Sequence, residues 1–157
     1  MKKNELHKAI EEKWNKKHKE HHFNKNNPEI KLHQPTFGVE EIVAFTEQMI
    51  TTNVTMGEEV EKFEDNYSNY LKSKYSVSSN SGSSANLLMI AALCNYYNKD
   101  KLNRGDEVII PALTWSTTMF PLTQYGLKPV FVDCDLNTLN IDLNKIEDAI
   151  SPKTRAI

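Results

Sequence analysis

The stretch Ser76–Cys94, "SVSSNSGSSANLLMIAALC", sets a polar run with a single glycine, Gly82, between β-prone residues and a dense apolar block. "KYSVS" reads as a short strand and "SSANLLMIAALCNYY" as a helix that is apolar almost all round. "NSGSSAN" then lies where a strand hands over to a helix, at the edge where open α/β sheets take ligands. A helix start offers unpaired N–H groups and a partial positive charge, both suited to phosphate. Gly82 lets backbone approach a ligand closely, and Ser83 and Ser84 add hydroxyls that also cap the helix. Two readings stay open at this point, a phosphate cup and a plain βα loop with a serine cap. Neither G-x-G-x-x-G nor the lysine of a P-loop is present, which argues against a Rossmann-type nucleotide binder and against triphosphate binding.

Outward from this stretch the rhythm continues. "DEVIIP" reads as a strand, "STTMFPLTQYG" as a helix interrupted by Pro121, "KPVFVDCD" as a strand and "NKIEDAI" as a helix. "TRAI" opens a further strand. Alternating elements with near-continuous apolar strands predict a parallel sheet covered on both faces. The sequence stops as that last strand begins, so the expected sheet is incomplete and the chain the N-terminal part of a larger protein or a truncated copy. Trp115 sits where "EVIIP" gives way to the next helix, placed either to stack on a flat cofactor ring or to fill the core. Asp133 and Asp135 end the next strand, where they can cap a turn or line a pocket, capping being the preferred reading.

Upstream, 38–50 carries a helical period through Ile42, Phe45, Met49 and Ile50. Residues 57–72 repeat it through Val60, Phe63, Tyr67 and Leu71, with "TTNVTMG" as the link. Residues 4–22 form an expected amphipathic helix through Leu6, Ala9, Ile10 and Trp14, broken by "NKNNPEI". Residues 1–30 are therefore expected to be a basic helical extension and 31–157 the α/β portion. His18 and His22 share a helix face at metal-ligand spacing, but with Lys, Glu and Asn around them exposed, unliganded histidines are expected.

The 157 residues carry a net charge of −2, with about +4 concentrated in residues 1–27. The acidic remainder argues against bulk nucleic-acid binding, and the mixed signs of the head favour a solvated helix. Cys94 and Cys134 have no metal-ligand spacing and are too few for a disulfide scaffold. No apolar leader or spanning stretch is present, so a soluble protein of the reducing cytoplasm is expected, with no membrane partner.

Together "VTMGEEVEKFEDNYSNYLKSKYSV", "VSSNSGSSANLL", "GDEVIIPALTWSTT", "KPVFVDCDLNTLNID" and "AISPKTRAI" closely resemble the DegT/StrS-type nucleotide-sugar aminotransferases, over about residues 31 to 157. The resemblance implies the N-terminal part of the large domain of an aspartate-aminotransferase-like fold, fold type I of the pyridoxal-phosphate enzymes. It implies pyridoxal 5'-phosphate as cofactor, its phosphate held by Gly82, Ser83 and Ser84 and its ring stacked by Trp115. It further implies amino transfer to a keto-sugar nucleotide from a donor such as glutamate, in a homodimer whose active site spans the interface. "NSGSSANL" followed by "TW" looks most like the sub-branch of sugar 3-dehydrases, which remove the 3-hydroxyl of a 4-keto-6-deoxy sugar nucleotide. A non-catalytic remnant is the third expectation. In the family the Lys or His that decides the chemistry, and the acidic partner of the pyridine nitrogen, lie beyond the position of Ile157, so no catalytic residue is assigned and 157 residues alone are expected not to turn over substrate.

Overall fold

The computed structural model describes residues 3–18, 24–29, 36–55 and 57–157, with Lys3 described by its backbone alone. Contacts divide the chain into two compact units, Met1–Lys74 and Tyr75–Ile157.

The first unit is helical. Its helices are α1 (Lys3–Lys17), α2 (Val39–Ile50) and α3 (Glu58–Leu71). The expected N-terminal helix thus ends at Lys17, and His22 lies outside the described residues. Trp14 of α1 stacks on His18 with ring centroids 3.8 Å apart and meets Phe37, just before α2, at 6.0 Å. The α2 start is closed by Glu41, whose carboxylate accepts the Gly38 N–H at 2.6 Å, and that bond holds the Glu41 pKa below its ordinary value. Glu58, Glu59 and Glu61 crowd the first turn of α3, as suits the positive end of a helix dipole. Val43 is the buried apolar residue of α2; Phe45, Met49 and Ile50, which carry its sequence period, stay exposed.

The second unit is α/β. Its order is α4 (Gly82–Leu93), β1 (Glu107–Pro111), α5 (Ser116–Gln124), β2 (Lys128–Val132), a 3-10 turn (Leu143–Lys145), α6 (Ile146–Ala149) and β3 (Thr154–Ala156). The sheet runs β2-β1-β3, all parallel, with Glu107 opposite Lys128 and Pro111 opposite Val132. β1 is central, and its three middle residues are buried. Val108 and Ile110 join Leu102, Leu122 and Leu127 in one core, against which Ile90, Cys94 and Met119 pack. Ile109 points to the opposite face and is 1% exposed. That alternation is why β1 reads as an unbroken apolar run.

The turn from α5 to β2 is built by sequence. Gly126 takes a φ of +74°, its N–H reaches the Thr123 carbonyl at 3.0 Å, and Leu127 N–H reaches the Leu122 carbonyl at 2.9 Å. This is a Schellman closure, in which the left-handed residue satisfies carbonyls at the helix end. Its usual apolar contact is supplied by Leu122 and Leu127, both in the core.

Three sequence expectations need correction. "KYSVS" forms no strand: residues 75–79 are irregular, and the three-stranded sheet does not include them. Tyr75 and Val77 give that segment β propensity, but a strand exists only through a ladder partner, and neither β2 nor β3 takes that role. The helix α4, although apolar all round, has no buried residue, and Leu87, Leu88, Met89 and Leu93 stay exposed. It meets the core through Ile90 and packs against α5. Coverage of the sheet is likewise partial, because Phe131 of β2 remains 54% exposed.

Among the described residues no helix is long and apolar enough to cross a membrane. Both cysteines are free, and burial raises the Cys94 thiol pKa, with the Asp106 charge adding to it.

Candidate functional site

The start of α4 is set by Ser81. Its backbone is extended, its Oγ accepts the Ser84 N–H at 3.2 Å, and its carbonyl accepts the Ala85 N–H at 3.0 Å. The cap is therefore Ser81, not Ser83 or Ser84. The S-x-x-S spacing of Ser81 and Ser84 carried that signal in the sequence. One consequence is chemical: the Ser84 amide is spent on the cap, whereas the amides of Gly82 and Ser83 have no intrahelical acceptor. The Ser84 hydroxyl lies 3.2 Å from that of Ser81, which leaves Ser83, exposed, as the freer hydroxyl.

Gly82 is not required by the chain itself. Its φ is not in the left-handed region, and a Cβ built on it meets nothing within 4 Å. The space over the first turn of α4 is open.

Trp115 sits four residues past β1 as the residue preceding α5, and it is 73% exposed. Within this chain Trp115 therefore lies outside the buried core. The Ala112 N–H reaches the Val132 carbonyl at 2.7 Å, which holds the loop after β1 to the carboxyl end of β2. The second turn of α4 and the first turn of α5 are joined directly: Asn86 Nδ2 donates to the Thr117 carbonyl at 3.3 Å. This bond ties α4 to the start of α5, the helix that follows the carboxyl end of β1. Asn86 had not stood out from its serine-rich neighbours in the sequence.

Asp133 and Asp135 serve the turns that follow β2. Asp133 Oδ1 accepts the Cys134 N–H at 3.0 Å, and Lys145 Nζ lies 3.4 Å from its Oδ2. Asp135 Oδ1 accepts the N–H groups of Asn137 and Thr138 at 2.9 and 2.8 Å. The pKa of Asp133 is lowered by the Cys134 N–H first and by Lys145 next; that of Asp135 by the Thr138 and Asn137 N–H groups. A carboxyl whose folded pKa is depressed stabilises the fold above its unfolded pKa of about 4, and that contribution is lost as pH falls through the folded value. The 135–140 turn should therefore open on acidification below about pH 4, seen as faster amide exchange at Asn137 and Thr138. The D135A variant, which lacks the acceptor, should show that fast exchange already at neutral pH.

No group of three or more His, Cys, Asp or Glu able to hold a metal occurs among the described residues.

A parallel sheet with one helix following the carboxyl end of its central strand, and a second helix tied to that one, defines an α/β protein of the open-sheet class. Residues 35–157 match the DegT/DnrJ/EryC1/StrS aminotransferase family, and the chain belongs to that family. The chain is 57% identical over 112 residues to a GDP-4-keto-6-deoxy-D-mannose 3-dehydratase of Yersinia pseudotuberculosis, covering 71% of this chain and 28% of that protein. It is 52% identical over 103 residues to the enzyme of the same description from Escherichia coli O55:H7, covering 66% and 26%. The solved structure of an E. coli GDP-4-keto-6-deoxy-D-mannose-3-dehydratase with bound hydrated pyridoxal phosphate superimposes with a TM-score of 0.74 at 46% identity, covering 80% of this chain and 32% of that one. The fold is thus that of the N-terminal part of the large domain of fold type I. The chain spans less than a third of the length of these relatives.

Proposed function

We propose that this chain forms the cofactor-phosphate and ring-stacking part of a pyridoxal-phosphate-dependent 3-dehydratase of 4-keto-6-deoxy sugar nucleotides. The observation that carries the cofactor reading is the start of α4, where two amides without intrahelical acceptors and the Ser83 hydroxyl face open space at a glycine the fold does not need. A phosphate ester fits that donor set: it is anionic, takes several N–H and O–H donors, and requires the close backbone approach that a side chain at 82 would block. Gly82 and Ser83 would bind the phosphate through their amides, Ser83 and Ser84 would add hydroxyls, and the exposed Trp115 would cover one face of the ring. When bound, pyridoxal phosphate would supply a conjugated ring that holds the electron pair released on deprotonation and gives it back as the 3-hydroxyl leaves with its own bonding pair. The contribution of this chain is to fix the phosphate, orient the ring and shield one of its faces from water.

Identity to two 3-dehydratases favours dehydration. The family description favours amino transfer, which stands as the second reading. The proposed partners are a nucleotide sugar and an amino donor such as glutamate, in a homodimer. With the full-length protein, a 4-keto-6-deoxy sugar nucleotide, pyridoxal phosphate and glutamate, the expected product lacks its 3-hydroxyl by NMR. A product that keeps the 3-hydroxyl and carries a new amine at C4 would establish amino transfer instead.

For the binding part, W115A is expected to weaken pyridoxal phosphate about tenfold, the loss of one stacked face. W115Y should retain most of the affinity. Equilibrium dialysis measures both, and an unchanged W115A would remove Trp115 from the site.

A further inference from the structure

Pro121 lies inside α5, so it has no N–H to give, and the carbonyl four residues before it, that of Thr117, is left without its helical donor. Asn86 of α4 supplies a donor to that carbonyl, its half-buried side-chain amide reaching it at 3.3 Å. The proline and the asparagine are thus complementary: one vacates a backbone acceptor in the first turn of α5, and the other uses it to tie down α4 one turn after its start. The two tied helices carry the two halves of the candidate site at their starts. Gly82, Ser83 and Ser84 lie on the first turn of α4, and Trp115 lies two residues before Thr117 at the head of α5.

We propose that Asn86 is a positioning residue, whose bond to the Thr117 carbonyl fixes the spacing between the phosphate-binding turn of α4 and the stacking ring of Trp115. This inference deepens the cofactor reading above and rests on it. In pyridoxal phosphate a single CH2–O link joins phosphate to ring, so a ligand held at both ends needs the two helix starts at one set distance. A free phosphate needs only α4 and is indifferent to that distance.

The test is a set of variants of the 157-residue chain, with affinity for pyridoxal phosphate measured by dialysis and affinity for inorganic phosphate by competition. N86A is expected to weaken pyridoxal phosphate about tenfold, as for a hydrogen bond that also sets geometry, and to leave inorganic phosphate unchanged. In a W115A background the same change should cost less than about twofold, because residues acting as one unit are not additive. Adding P121A to N86A returns an N–H to the Thr117 carbonyl, so thermal unfolding should recover while the loss of pyridoxal phosphate affinity stays. Equal losses in the Trp115 and W115A backgrounds, or affinity recovering together with stability, would show that Asn86 only holds the fold and would overturn the proposal while leaving the cofactor reading intact. A parent chain that binds inorganic phosphate but not pyridoxal phosphate, or neither, would overturn both.

Discussion

G82V is expected to lower the affinity for pyridoxal phosphate about 100-fold while leaving thermal unfolding within about 0.5 kcal/mol of the parent. The two halves of this expectation have separate causes. A Cβ at 82 meets nothing within 4 Å and the backbone there is not left-handed, so the chain loses neither packing nor conformation. A branched side chain would, however, occupy the space from which an anion reaches the Gly82 and Ser83 amides. Each such charge-assisted bond contributes about 1.5–3 kcal/mol, and losing one of them with part of the other gives the stated fold-change. G82A should fall between, at about tenfold. Dialysis and a melting curve on the same samples separate the two halves. A variant that melts early would mean that Gly82 is structural, and the open space over α4 would lose its significance.

L122A is expected to have the largest effect on stability, about 3 kcal/mol. Leu122 is 2% exposed and does two things at once: it fills the core beside Val108, Ile110 and Leu102, and it forms the apolar contact with Leu127 that closes the α5–β2 turn. Domains of this size hold only about 5–15 kcal/mol in total, so the midpoint of the α/β unit should drop by more than roughly ten degrees. L88A, on the exposed outer face of α4, should shift it little, within about 0.5 kcal/mol. Comparable losses in both variants would mean that the outer face of α4 is covered in solution.

How much of this was readable in advance differs by element, for physical reasons. β1, β2 and the intervening α5 follow from local pattern, since "EVIIP" is buried on both faces and "QYGL" encodes its own helix stop. The strand expected at "KYSVS" does not follow, because a strand depends on a partner that local sequence cannot name. The apolar α4 likewise shows only that it suits burial, not what would bury it, and here its outer residues are exposed. At the candidate site, Gly82, Ser83, Ser84 and Trp115 stand out as residue types in a recognisable order. Their division of labour does not: the cap falls to Ser81, the Ser84 amide is consumed by it, and the latch through Asn86 depends on a proline thirty-five positions away. Such long-range pairings have no period and no spacing rule. Asp133 and Asp135, by contrast, cap their turns as Asx chemistry leads one to expect.

The account turns on whether the start of α4 is a phosphate cup, and amide NMR of the 15N-labelled chain titrated with pyridoxal phosphate tests that most directly. The prediction is saturable shifts led by the Gly82 and Ser83 amides and the Trp115 indole, with the two backbone shifts, but not the indole shift, reproduced by inorganic phosphate. Saturable binding that leaves Gly82 and Ser83 unmoved, or no saturable shift at all, would contradict it.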